Sequence, residues 1–181
     1  MSDSNAWQIA LLRGINVGGR NRLPMADLRA AMEGLGLQDV QTHIQSGNAV
    51  FRGPGDCGPR IAAAIEDRFG FCPQVMVIDA VKYRGIVADN PFAAAGSADG
   101  ASVHIGFLAQ AAQGADRVKL AELAAGDEAF HLTDTAFYLH APSGIGRSKL
   151  AARAEKQLGV AMTMRNQRVA EAVANLLAKA P

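Results

Sequence analysis

Val40-Gln41-Thr42-His43-Ile44-Gln45-Ser46-Gly47-Asn48-Ala49-Val50-Phe51-Arg52 is the stretch on which the fold turns. Apolar and polar residues alternate from Val40 to Gln45 and again from Asn48 to Arg52, and Ser46-Gly47 between them is a turn signal. The segment therefore reads as a β-hairpin. A hairpin forces antiparallel pairing, which excludes a wholly parallel sheet.

The flanking segments extend this reading. Trp7 to Leu12 is an apolar run stopped by Arg13-Gly14, as expected of a buried strand. Pro24 suits a first helical position, and Leu28, Ala31, Met32 and Leu35 recur at helical spacing until Gly34 and Gly36 close the element. Beyond the hairpin, Gly58 to Phe69 reads as a helix and Gln74 to Ile78 as a strand, giving the order βαββαβ. Asp79 is placed to cap a further helix through Val87, which Asn90-Pro91-Phe92 stops.

The pattern then restarts. Strands are expected over Ser102–Leu108, Glu128–Leu132 and Ala136–His140, with a turn at Thr133-Asp134. Helices are expected over Ala115–Ala125 and Ile145–Leu158, a short strand over Val160–Met164, and a closing helix over Arg165–Ala178. The fold class is α+β: two successive ferredoxin-like βαββα(β) units with mainly antiparallel sheets, plus a C-terminal helix. The expected domains are residues 1–92 and 102–181, joined by an Ala-, Gly- and Ser-rich linker at 93–101.

The 181 residues, 49% hydrophobic and 19% charged, describe a globular protein with a real core. No apolar run reaches the ~18 residues of a membrane span, and the polar opening Met1-Ser2-Asp3-Ser4-Asn5 is not a secretion signal, so a cytoplasmic protein without a membrane partner is expected. Cys57 and Cys72 make no Cys-x-x-Cys pair and read as two buried apolar residues. His43, His104, His131 and His140 fall on expected strands without metal-ligand spacing, so no metal or cofactor is expected.

The net charge of +1 hides an uneven distribution. Residues 4–26 contain Arg13, Arg20 and Arg22 and no acid, whereas 27–134 hold 8 basic and 14 acidic residues. Residues 135–170 set Arg147, Lys149, Arg153, Lys156, Arg165 and Arg168 against Glu155 alone. The positive charge lies toward the two ends of the chain, and would form one patch where those ends meet.

Arg13 to Arg22 combines three arginines with Gly14, Gly18 and Gly19, the composition of a backbone that approaches an anion closely. It misses the nucleotide-binding pattern G-x4-G-K-[ST], because Arg20 stands for the lysine and Asn21 for the hydroxyl residue. The late helix start at Pro24 and the hairpin also argue against that motif. In Pro142 to Leu150, Arg147 and Lys149 sit at an expected helix start, where cations oppose the macrodipole unless an anion docks there. Thr163 to Arg168 repeats this inversion. A Ser148-Lys149 nucleophile pair is disfavoured because adjacent helical residues face different ways. Base stacking of the RNA-recognition type has only Trp7 and Phe51 to work with on the central strands.

Three segments resemble a known family: Ala10 to Gly19, Ile44-Gln45-Ser46-Gly47-Asn48, and Tyr138-Leu139-His140 with Gly144 to Leu150. Together they resemble the bacterial family called domain of unknown function 1697 (DUF1697), over nearly the whole chain. The resemblance implies a small cytoplasmic α+β protein with no established activity. Its C-terminal pattern T-x-R-N-W-N-T is met by Thr163, Arg165 and Asn166, while Gln167, Arg168 and Val169 depart from it.

The functional expectation is a binding protein for a phosphate-bearing ligand or a nucleic-acid backbone. Its site would be composite, drawing Arg13, Gly14, Asn16, Gly18, Gly19, Ser46 and Asn48 from the first half and Gly146, Arg147, Ser148, Lys149, Arg165 and Asn166 from the second. Arginines would grip the anion by forked hydrogen bonds and Lys149 would add a point charge. The rival readings are a structural or protein-interaction module and an enzyme on a small anionic substrate. No general base stands out for the latter.

Overall fold

In the computed structural model, which describes residues 5–178, the chain divides into two compact units. One runs to Arg84 and is taken up again from Ala172; the other is Gly85–Glu171. The helices α3 (Ala80–Ala88) and α7 (Gln167–Ala178) each carry the chain from one unit to the other.

The first unit is built from β1 (Trp7–Arg13), α1 (Met25–Gly34), β2 (Gln38–His43), β3 (Asn48–Arg52), α2 (Gly58–Phe69) and β4 (Gln74–Asp79). Its sheet order is β2-β3-β1-β4 with every pair antiparallel, the arrangement expected of a ferredoxin-like unit. Strand alternation puts Ala10, Leu12 and Phe51 on one face, where they pack with Leu28 and Met32 of α1 and Ile61 and Ile65 of α2. Each fully buried aliphatic side chain contributes about 1.5–3 kcal/mol relative to exposure. Ile9 and Leu11 on the opposite face of β1 are also fully buried. Gly58 lets α2 close on the sheet, since a Cβ there would stand 2.9 Å from the Val75 carbonyl oxygen.

The second unit repeats the plan with β5 (Val103–Leu108), α5 (Arg117–Leu123), β6 (Ala129–Leu132), β7 (Ala136–His140), α6 (Lys149–Leu158) and β8 (Met162–Asn166). Its order is β6-β7-β5-β8, again antiparallel throughout. Leu108, Phe137, Leu139 and Met162 pack with Leu120 of α5 and Leu150, Ala154 and Leu158 of α6. Tyr138 faces away from this core, and its hydroxyl donates to the Ile86 carbonyl at 2.7 Å. Burial, reinforced by the charge of Asp89, pushes its phenol up to about 12.

Several local expectations need revision. The Ala-rich stretch after Phe92 folds as α4 (Ala93–Ala98). The first hairpin turn is four residues, Ile44 to Gly47, because β2 ends at His43 and pairs it with Asn48. Ile44 (φ 49°) and Gly47 (φ 81°) are both left-handed there. Gly47 is required: its carbonyl accepts the Leu12 N–H at 2.8 Å, and a Cβ would press on Leu12 and Ile15. Cys57 is buried, but Cys72 is exposed in the short passage between α2 and β4, and both are free thiols. Asp79 caps α3 as expected, its Oδ1 accepting the N–H groups of Val81 and Lys82.

Candidate functional site

In the first unit the basic loop is ordered by its asparagines. Asn16 adopts φ 53°, and its Nδ2 donates to the Leu23 carbonyl at 2.9 Å and the Gln45 carbonyl at 2.7 Å. Its Oδ1 accepts the Leu23 N–H at 2.8 Å. Asn21, at φ 51°, donates from Nδ2 to the Gly14 carbonyl, and its own carbonyl accepts the Asn16 N–H. Inside this frame Val17 and Arg20 bridge across Gly18 (φ 58°) and Gly19 (φ 76°), with the Arg20 N–H donating to the Val17 carbonyl. Two left-handed central residues make this a type I′ turn, which glycine suits best. The glycines therefore shape a small rigid hairpin, and the loop is no slack connection.

The sequence-predicted residues of this unit divide by role. Arg13 closes β1 half-buried, while Gly14, Gly18, Gly19 and Ser46 are exposed. Asn48 is fully buried, and its Nδ2 donates to the His43 carbonyl and to Ser46 Oγ. Asn16 and Asn48 thus spend their amides on holding the two turns. A shallow cavity of about 270 Å³ opens beside them, lined by Asn16, Arg22, Pro24 and Gln45. Arg20 and Arg22 are exposed, and neither they nor Gln45 was singled out from sequence as a ligand contact.

The second unit places Gly146 and Arg147 in a short 3₁₀ turn, Ile145–Arg147, after Gly144 at φ 91°. Ser148 is the N-cap of α6, its Oγ accepting the Ala151 N–H at 2.9 Å. A hydroxyl held in a cap, with its residue only 6% exposed, has no nucleophilic posture. Only Lys149 lies in the first turn of α6, which contains no acid; Arg147 precedes the cap, and both side chains are exposed.

Arg165 precedes α7 and Asn166 is its N-cap. They end β8, opposite Ile105 and His104 respectively, and strand alternation points them to opposite faces of the sheet. Asn166 shares the α6 face with His104, and its Oδ1 accepts the Val169 N–H to cap α7. Arg165 shares the other face with Ile105 and donates from Nη1 to the Met164 carbonyl. A cation in an acid-free first helical turn is therefore found at Lys149 and at Arg168, but not at Arg165.

Two buried polar side chains lie in the second unit. Gln167, 1% exposed, accepts from Asn90 Nδ2 at 2.9 Å and donates from Nε2 to the Ala93 carbonyl and Glu171 Oε1. Gly96 makes room for it, since a Cβ there would collide with Gln167 Oε1. Position 167 is thus part of the interior. His104 is the other: its Nδ1 is buried without a hydrogen-bond partner, and burial lowers its pKa below the usual 6.5. Among the described residues no group of three or more His, Cys, Asp or Glu could hold a metal, and no helix is long and apolar enough to cross a membrane.

Comparison with known proteins bears on the fold and the family. The family model described as "Protein of unknown function (DUF1697)" matches residues 6–138. Among solved structures, the conserved bacterial protein SP0830 from Streptococcus pneumoniae is similar at 23% identity, with 97% of this chain and 99% of that one covered and a TM-score of 0.63. That likeness shows a shared fold. The regulatory subunit of aspartate kinase from Thermus thermophilus, in its ligand-free form, matches at 15% identity over 87% of this chain and 94% of its own, but its TM-score of 0.26 carries no argument. No curated protein matches.

Proposed function

The chain belongs to the DUF1697 family, and we propose that this member is a binding protein for a phosphate- or carboxylate-bearing ligand. The observation that carries the reading is the acid-free loop Arg13 to Arg22, which Asn16 and Asn21 hold in a fixed shape with Arg20 exposed and Arg22 lining the Asn16–Gln45 cavity. Arginines carried on a fixed backbone bind an anion with less entropy lost than those on a flexible one. Arg147 and Lys149 support the same chemistry in the second unit, around a helix start without acid. In the proposal Arg13, Arg20, Arg22, Arg147, Lys149 and Arg165 supply charge, whereas Asn16, Ser46, Asn48, Ser148 and Asn166 fix the backbone that carries it.

Thermal shift with inorganic phosphate, nucleotides and short oligonucleotides tests the reading. A ligand at ~100 times its Kd stabilises the native state by about 2.7 kcal/mol. The gain should shrink in Arg22→Ala and in Arg147→Ala and fall with added salt. Absence of stabilisation by every anion would defeat the proposal. A ligand common to both sets of cations makes the losses in Arg13→Ala and Arg147→Ala non-additive, whereas separate ligands make them add.

A further inference from the structure

The basic loop and the first hairpin turn each hold a bulky aliphatic side chain out in water. Val17 is 68% exposed and Ile44 48% exposed. Each is the chain neighbour of a residue lining the 270 Å³ cavity, Val17 beside Asn16 and Ile44 beside Gln45. The Asn16 Nδ2 bond to the Gln45 carbonyl ties together the two segments that carry these side chains. Ile44 is held outward at φ 49°, a backbone conformation that a β-branched residue adopts rarely. Unfavourable exposure and unfavourable backbone at one residue mark a surface kept for contact.

We infer that Val17, Ile44, Arg20 and Arg22 form a docking surface for an acidic protein segment carrying bulky aliphatic side chains. This rests on the anion-binding reading of the loop and names the partner. Charge complementarity selects an acidic partner, because residues 4–26 contain arginines and no acid. The aliphatic pair selects apolar side chains within it. No aromatic residue lies between Arg13 and Pro24 or between His43 and Asn48 to stack a base, which disfavours nucleic acid.

The test is fluorescence anisotropy with the full chain and three labelled probes: a glutamate-rich peptide with leucine at every fourth position, its serine-for-leucine counterpart, and single-stranded oligothymidylate. Inorganic phosphate serves as competitor. The leucine peptide should bind at least about tenfold more tightly than the serine peptide. Val17→Ser and Ile44→Asn should each remove most of that advantage while leaving serine-peptide binding unchanged. Asparagine tolerates the left-handed backbone, so Ile44→Asn keeps the fold, as circular dichroism would verify. Equal binding of the two peptides, unaltered leucine-peptide binding in both variants, or tighter binding of the oligonucleotide would each overturn the inference. If no anionic probe binds and Arg20→Ala and Arg22→Ala change nothing, the anion reading fails and takes this inference with it. If the serine peptide or phosphate binds but leucine adds nothing, the anion reading stands and the docking surface alone falls.

Discussion

Asn16→Ala is expected to cost the first unit far more stability than an ordinary loop substitution. Three hydrogen bonds are lost: two donated by Nδ2 to the Leu23 and Gln45 carbonyls, and one accepted by Oδ1 from the Leu23 N–H. At about 0.5–1.5 kcal/mol each, these sum to roughly 3 kcal/mol. Leu23 is fully buried, so its N–H has poor access to water as a substitute partner. Alanine also inherits φ 53°, which adds about 1–2 kcal/mol. The total, about 4–5 kcal/mol, is a large part of the ~5–15 kcal/mol available to a typical domain. Asn16→Gly separates the terms, since glycine accepts the backbone angle and loses only the hydrogen bonds. Urea denaturation followed by far-UV circular dichroism should give a lowered midpoint for both variants, the larger shift in alanine. Hydrogen exchange should show lost protection at Leu23 and at Leu12, whose N–H donates to the Gly47 carbonyl. A cost below about 1 kcal/mol in Asn16→Ala would refute the claim that this side chain is the buckle of the loop.

Three further outcomes follow from the second unit. Gly96→Ala should destabilise by about 2–4 kcal/mol by driving a methyl into Gln167 Oε1 and breaking the bond from Asn90; added to Gln167→Ala, the same change should cost under about 1 kcal/mol, and additive costs in the double-mutant cycle would sink this account. His104 has its folded pKa depressed from 6.5 by burial, so its contribution is complete above about pH 6.5 and is lost as pH falls through the folded value; His104→Leu should flatten that acid limb in pH-dependent melts, and an unchanged limb would exclude His104 as its source. Tyr138 has its folded pKa raised from 10.0 to about 12, so its contribution is complete below pH 10 and lost between there and 12; Tyr138→Phe should cost about 1 kcal/mol at neutral pH through the hydrogen bond to Ile86 and should reduce the alkaline loss, as melts at pH 8 and 11 would show.

The parts of the fold legible in sequence were those set by a repeating local pattern. Alternation over Val40–Phe51 identified the first hairpin, and helical spacing identified α1 and α2, because each burial face recurs with the period of its backbone. The errors fell where one tertiary contact overrides a local preference. Val160 to Met164 was expected as the last strand, but pairing with β5 carries β8 to Asn166, since His104 and Ile105 offer ladder partners to Asn166 and Arg165. That shift of two residues takes Arg165 out of the helix start and turns it away from Asn166. The Ala-rich segment read as a linker because glycine and serine signal breaks, yet Gly96 is demanded by the Gln167 side chain 71 positions later in the chain.

The candidate site was legible in composition and illegible in role for one physical reason. Sequence reports which residues are polar, but whether a polar side chain faces a ligand or its own backbone depends on hydrogen-bond closure across long separations. Asn16 meets Gln45 over 29 positions, a pairing that no local rule encodes. Asn16, Asn48, Ser148 and Asn166 all look like ligand contacts in the sequence, and all four spend side-chain atoms on turns or helix caps. The division has a mechanistic consequence. Short side chains that satisfy the backbone first hold the two basic loops in one conformation, so the long cationic side chains they carry are presented on rigid supports. Replacing a cation should therefore weaken anion binding with little effect on stability, whereas replacing one of the four supports should lower both together. Measuring affinity and melting temperature side by side for Arg22→Ala and Asn16→Gly separates these roles, and equal stability loss in the two variants would contradict the division.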